Sequence, residues 1–113
     1  MTLPASPAIL IHGGPPADRA ALAAAVRVDT RLAPPHGVRV RLSSRAAEAA
    51  KCLADPAVVA VFLLGDPPDA AAVRAAAAAH DAAPTVFALE ARDGADVVRA
   101  LIREALVRVS DRP

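Results

Sequence analysis

The chain has 113 residues, with 13 basic against 12 acidic side chains and a formal net charge of +1. Without a basic run, that balance leaves no electrostatic footprint for nucleic acid or an anionic membrane. No stretch of about 18 apolar residues runs free of charge, which argues against a membrane span. Half of the 55% hydrophobic fraction is alanine, 31 residues in all. The larger apolar residues (13 Val, 11 Leu, 3 Ile and 2 Phe) are clustered, as disordered chains are not. A chain of this size buries roughly two thirds of its unfolded surface, enough for one core, so residues 1–113 are expected to form a single domain. Arginine outnumbers lysine 12 to 1, a skew that, beside so much alanine, reads as codon bias. The single Cys52 excludes an internal disulfide and suits a reducing compartment. The first seven residues show neither a basic nor a long apolar leader region, so a cytoplasmic location is expected.

In chain order, Ala8-Ile-Leu-Ile-His12 is a short apolar run stopped by Gly13-Gly14-Pro15-Pro16, the profile of a buried strand and its loop. Ala17 to Val26 is rich in helix formers, with proline just ahead, where helices tolerate it. Residues 26–33 read either as a continuation of that helix, which we favour, or as a strand leading through Pro34-Pro35-His36-Gly37 into a hairpin. Val38-Arg-Val-Arg-Leu42 alternates like a strand with one wet face near a sheet edge. Ser43 and Ser44 are suited to cap a helix to about Asp55 whose apolar face is Ala46, Ala49, Ala50 and Leu53, and Ser44 with Glu48 is one residue away from capping-box spacing. Ala57 to Leu64 is apolar without alternation, as expected of a central parallel strand covered on both faces. Asp69 is placed to cap an alanine helix to about Ala79. Thr85 to Leu89 is a fourth strand. A last helix from Asp93 to about Val109 carries Val97, Leu101, Ala105 (or Leu106) and Val109 as its apolar stripe. Strands alternating with helices predict an α/β fold with a four-stranded, mostly parallel sheet in the flavodoxin-like order 2-1-3-4 and helices on both faces.

Ligands of open parallel sheets bind beyond the C-terminal ends of the strands. The residues this pattern places there are His12, Gly13, Gly14, Asp66 and Glu90, the candidate ligand-binding set. Gly13-Gly14 lacks dinucleotide or P-loop spacing, and Pro15 and Pro16 remove two donors from any phosphate cradle, so a tight turn is the favoured reading. His12 before two glycines is similar to a lipase oxyanion loop, but no G-x-S-x-G elbow accompanies it. His12, His36, His80 and Cys52 share no zinc-ligand spacing, and Asp66 with Asp69 offers few oxygens for a hard cation; no metal and no cofactor are expected. Cys52, late in its helix, reads as a partly buried, inert thiol.

The order of elements resembles a response-regulator receiver domain across residues 8 to 102. Ala8 to Leu22 resembles its opening strand and helix, Ser43 to Ala50 the segment after its second strand, and Val58 to Asp66 its third strand with the phospho-accepting aspartate. Pro84 to Ala91 resembles the fourth strand, and Asp93 to Leu101 the helix that follows. Four positions depart from that pattern. His12 and Gly13 stand in place of the metal-binding acidic pair, Glu90 in place of the phosphoryl-sensing hydroxyl residue, and Asp66 about two residues beyond the acceptor. The fifth strand with its lysine is missing. The resemblance therefore implies a degenerate, truncated receiver-like domain, a class that works by binding other proteins. Weaker likenesses are to the small F-type subunit of rotary ATPases and, through Val61-Phe-Leu-Leu-Gly-Asp66, to small sulfur-relay α/β proteins.

The function expected on these grounds is a non-catalytic protein-interaction or regulatory module. The alternative is a small-molecule or sulfur-handling enzyme with its site at the strand C-terminal edge. The alanine helix suggests where a protein partner or a second copy would dock, on Ala71, Ala75 and Ala78.

Overall fold

Two uninterrupted apolar runs set the architecture, because a strand without polar alternation must be covered on both faces. The computed structural model describes residues 7–27, 38–80, 83–90 and 93–110. In it β1 (Ala8–His12) and β3 (Val58–Leu64) are buried at every residue. They form the centre of a four-stranded sheet completed by β2 (Arg39–Ser43) and β4 (Thr85–Leu89), in the order β2-β1-β3-β4. All three pairings are parallel. The expected strand order is therefore found, and the sheet is wholly rather than mostly parallel.

Four helices alternate with the strands: α1 (Pro16–Arg27), α2 (Ala46–Cys52), α3 (Ala70–Ala79) and α4 (Ala95–Ser110). One face of the sheet, with Ile9, Ile11, Val40, Phe62, Leu64 and Leu89, packs with Leu22, Ala23 and Val26 of α1 and Val98, Ile102 and Leu106 of α4. The other, with Ala8, Leu10, Val58, Val61 and Leu63, packs with Ala49, Cys52 and Leu53 around α2 and Val73 and Ala77 of α3. Between β1 and β3 the register steps from Ala8↔Val58 to Ile9↔Ala60, a bulge that puts Val59 and Ala60 in the same α1/α4 core. Phe62 and Phe87 stack at 5.3 Å between ring centroids and tie β4 to the centre.

Pro16 opens α1, where its missing N–H costs nothing. That helix includes Val26 and Arg27; the rest of the ambiguous stretch, with Pro34, Pro35 and His36, lies outside the described residues. Three packing expectations need correction. In α2, Ala50 is exposed and Cys52 takes its place facing the core, because the helix ends at Cys52 and is too short for a second full turn of the expected stripe. In α4 the buried arc is Val98, Ile102, Ala105 and Leu106, while Val97 is 41% exposed. The stripe is rotated by one residue because Val97 and Val98 fit a helical period equally well. Leu42 is 37% exposed at the sheet edge, so the alternation of β2 stops at Val40.

Glu48 corrects the capping assignment. The N-cap is Arg45, and Glu48, three residues on, accepts the N–H of Arg45 (3.1 Å) and both the N–H and hydroxyl of Ser44. These Ser44 hydrogen bonds hold the Glu48 carboxyl below its ordinary 4.5. No helix among the described residues is long and apolar enough to cross a membrane.

The rotated stripe has a direct consequence. Ile102→Ala should destabilise the fold by about 2–5 kcal/mol, and Val97→Ala should change it by no more than about 0.5 kcal/mol, both read from denaturant midpoints.

Candidate functional site

The C-terminal ends of β1 and β2 lie side by side because the parallel register pairs His12 with Ser43. Both side chains emerge on the face covered by α2 and α3, two residues beyond Leu10 and Arg41 respectively. His12 has no exposed surface and Ser43 is 3% exposed. A polar ring in such a place must find partners inside the protein. It finds two: Nε2 lies 2.7 Å from Oδ1 of Asp69, and Nδ1 lies 2.7 Å from the Ser43 hydroxyl. A carboxylate only accepts, so Nε2 carries the donated proton, and the Ser43 hydroxyl, which can donate or accept, completes the chain.

Asp69 occupies the N-cap of α3, as expected, but makes no side-chain capping bond. Its carboxylate turns to His12 instead. That hydrogen bond holds the Asp69 carboxyl below its ordinary 3.8, and the backbone amides of Asp69 and Ala46 act in the same direction. The network therefore joins β1, the end of β2 and the start of α3, and brings the first amide of α2 into its field.

The next two residues of β1's loop are closed off as well. Gly13 and Gly14 both have positive φ, at 85° and 69°. A Cβ on Gly13 would stand 3.0 Å from Cβ of Pro67, and one on Gly14 would stand 2.6 Å from Cγ of Leu64. Arg19 seals the turn from the other side, its Nη1 donating to the carbonyls of Gly13 (2.9 Å) and Gly14 (2.6 Å). In this strand order the topological switch point falls between β1 and β3, where ligands of open α/β sheets enter. Here Leu64 and Pro67 stand against the Gly13-Gly14 turn, beside the tethered His12.

The structure thus brings His12, Gly13 and Gly14 together with Ser43, Leu64, Pro67 and Asp69. Asp66 and Glu90 are exposed beyond β3 and β4, and neither is a partner of His12. Sequence reasoning assigned Ser43 and Asp69 to helix capping and so missed their bonds to His12. The signal was available in outline: a histidine ending a fully apolar strand requires polar partners from neighbouring strand ends. Cys52 is buried, its Sγ 4.0 Å from the Leu42 carbonyl. Ala71, Ala75 and Ala78 all lie exposed on the outer side of α3. Among the described residues no group of three His, Cys, Asp or Glu side chains is arranged to hold a metal.

No family model, curated protein or solved structure matches this chain. The receiver likeness therefore rests on element order and residue type alone.

At the opposite sheet edge a cleft of about 240 Å³ is lined by Leu53, Ala54, Pro56, Ala79 and His80. His80 Nε2 donates to the Asp55 carbonyl there. Asp55 accepts the N–H of Ala57 at 2.9 Å and pairs with Arg39 at 3.0 Å, and these contacts hold its carboxyl below the ordinary 3.8. Hydrogen bonds within the chain thus occupy both acidic centres.

Two outcomes follow. Gly14→Ala should destabilise by more than the roughly 1 kcal/mol of a strained dihedral, because Leu64 blocks the new methyl; chemical denaturation of Gly14→Ala with and without Leu64→Ala measures the coupling. For pH, Asp55 and Asp69 are depressed in the folded state, so the unfolded chain binds more protons in acid. Their stabilisation is complete well above 3.8 and is lost as pH falls through that value and below. Asp69→Asn should flatten the acid limb of a stability-against-pH profile and lower its neutral plateau.

Proposed function

We propose that this chain is a cytoplasmic, non-catalytic protein-interaction or regulatory module built on a receiver-like framework. One observation carries the reading: at the switch point, where an enzyme of this topology would hold its ligand, Leu64 and Pro67 stand against the Gly13-Gly14 turn and His12 is tied to Ser43 and Asp69. A ligand entering there must displace packed side chains and break hydrogen bonds to a buried imidazole, at a cost of several kcal/mol before any contact is gained. The lone thiol, buried at the end of α2 against the sheet, supports a reducing compartment and offers no accessible nucleophile.

The His12–Ser43–Asp69 chain is the specific observation favouring an enzyme, since a hydrolytic relay uses the same three residue types. Burial weighs against it. A nucleophilic serine must reach solvent, and Ser43 is 3% exposed beneath the loops. Between the two readings, the hydrogen-bonded chain acts as a structural clamp.

A fluorophosphonate probe separates them. It should leave Ser43 unmodified in the native protein, and labelling at Ser43 that His12→Ala abolishes would establish the enzyme reading. In parallel, Mg²⁺, nucleotides and acyl phosphates should leave the melting temperature unchanged, whereas a saturating ligand raises it by several degrees. Tagged protein recovered from its source cells should retain a stoichiometric protein partner.

A further inference from the structure

The interaction reading leaves open which surface does the work, and the backbone of β4 points to one. The Leu89 carbonyl accepts from Gly65 N–H on the β3 side. Backbone groups alternate in direction along a strand, so Thr85, Phe87 and Leu89 serve β3. Val86 and Ala88 then turn their N–H and C=O groups to the open side. Among the described residues β4 has β3 as its one neighbour in the sheet, and none of them meets those four groups. Ala88 is exposed, and Val86 and Phe87 are half-buried. Natural sheets protect such edges with lysine, proline, bulges or inward charges. Thr85-Val-Phe-Ala-Leu89 carries none of these. The other edge does: β2 bears Arg39 and Arg41, both near Asp55.

We infer that β4 pairs antiparallel with β4 of a second copy of this chain, extending the sheet across a two-fold axis at Phe87. This rests on the interaction reading above and names the partner. Three features select a second copy over a foreign strand. First, the pairing is self-consistent. Centred on Phe87, Val86 lies opposite the partner's Ala88 and exchanges both hydrogen bonds with it, and the symmetric pair does the same. All outward donors and acceptors of both strands are then satisfied, and the two Phe87 residues form the close, non-hydrogen-bonded pair between them. Second, the charges are compatible. Thr85 faces the partner's Leu89, and Glu90 faces the partner's Pro84, so no like charges meet. The same operation on β2 would set Arg41 against its own copy. Third, α3 packs beside β4 on the Val86 face. Its outer surface of Ala71, Ala75 and Ala78, interrupted by Arg74, is small enough to let the neighbouring α3 approach. The contact is one strand wide and belongs to the small class of specific interfaces, with dissociation constants of micromolar order.

Sedimentation equilibrium on the purified full chain tests this. The wild type should move from 11.5 kDa toward twice that mass as concentration rises to about 1 mM. Ala88→Pro removes an outward N–H that β3 does not use, and Ala88→Lys adds an edge charge at an exposed position. Both should remain monomeric with unchanged circular dichroism; if the proline variant fails to fold, the lysine variant still reports. A wild type that stays at monomer mass throughout overturns the proposal, as do variants that dimerise like the wild type. A monomeric wild type whose captured partner is lost on Ala88→Lys assigns the edge to a foreign strand and also overturns self-pairing. The broader interaction reading fails by a different result, Ser43 labelling by the fluorophosphonate, so the two failures are distinguishable.

Discussion

An imidazole at the end of an otherwise apolar strand is the constraint around which this molecule is arranged. Leaving His12 buried and unpaired would cost several kcal/mol, a large part of the stability of a domain this small. Two elements are therefore held in place to satisfy it. Register carries Ser43 to one ring nitrogen, and the first turn of α3 carries Asp69 to the other. The price of that second bond is a conventional cap: α3 begins without a side-chain bond to its free amides. Leu64 at the end of β3 and Pro67, two residues before Asp69, stand against the Gly13-Gly14 turn, and only glycine can make that turn beneath them.

Alanine shapes the rest. Helices α1 and α4 bring Leu22, Val26, Val98, Ile102 and Leu106 to one face of the sheet, whereas α2 and α3 bury only Ala49, Cys52, Val73 and Ala77 against the other. The sheet supplies the largest fully buried side chains, Phe62, Ile9, Leu10, Ile11 and Leu63, all at 2% exposure or less. This division of labour explains why both central strands are apolar at nearly every position. It also leaves the periphery thinly covered: α3 buries Val73 and Ala77, and β4 beside it keeps Val86 and Phe87 half in solvent. A helix with larger inward residues would have wrapped the edge.

The fold was legible because strand and helix signals here are separate and strong. Runs such as Val58 to Leu64 have no helical reading, and Gly, Pro and Asp mark each turn. Phase within helices was less legible. Val97-Val98 offers two adjacent residues of equal hydrophobicity, and the core decides between them by geometry that spacing does not contain. The site was half legible. His12, Gly13 and Gly14 were placed at the strand end by pattern, but Ser43 and Asp69 each had a sufficient local explanation as caps. Their partnership with His12 spans 31 and 57 residues of sequence and depends on register. Local chemistry explains a serine before a helix so well that nothing in the sequence prompts a search for a distant ring.

The distribution of satisfied and unsatisfied backbone then says where recognition is to be sought. In an open α/β sheet the strand ends usually hold the free polar groups, because loops diverge there and helix amides point into the gap. Among the described residues several of those groups are engaged: Asp69 holds His12, Glu48 holds the amides of Ser44 and Arg45, and Arg19 holds the carbonyls of Gly13 and Gly14. Along β4 the balance is reversed, with donors and acceptors of Val86 and Ala88 facing out beside half-buried apolar side chains. Backbone groups of a strand accept one kind of partner well, another strand, and their directionality supplies register as well as affinity. Under the pairing proposed above, the binding surface lies a quarter-turn around the sheet from the strand ends, on an edge whose backbone groups suit another strand rather than a small molecule.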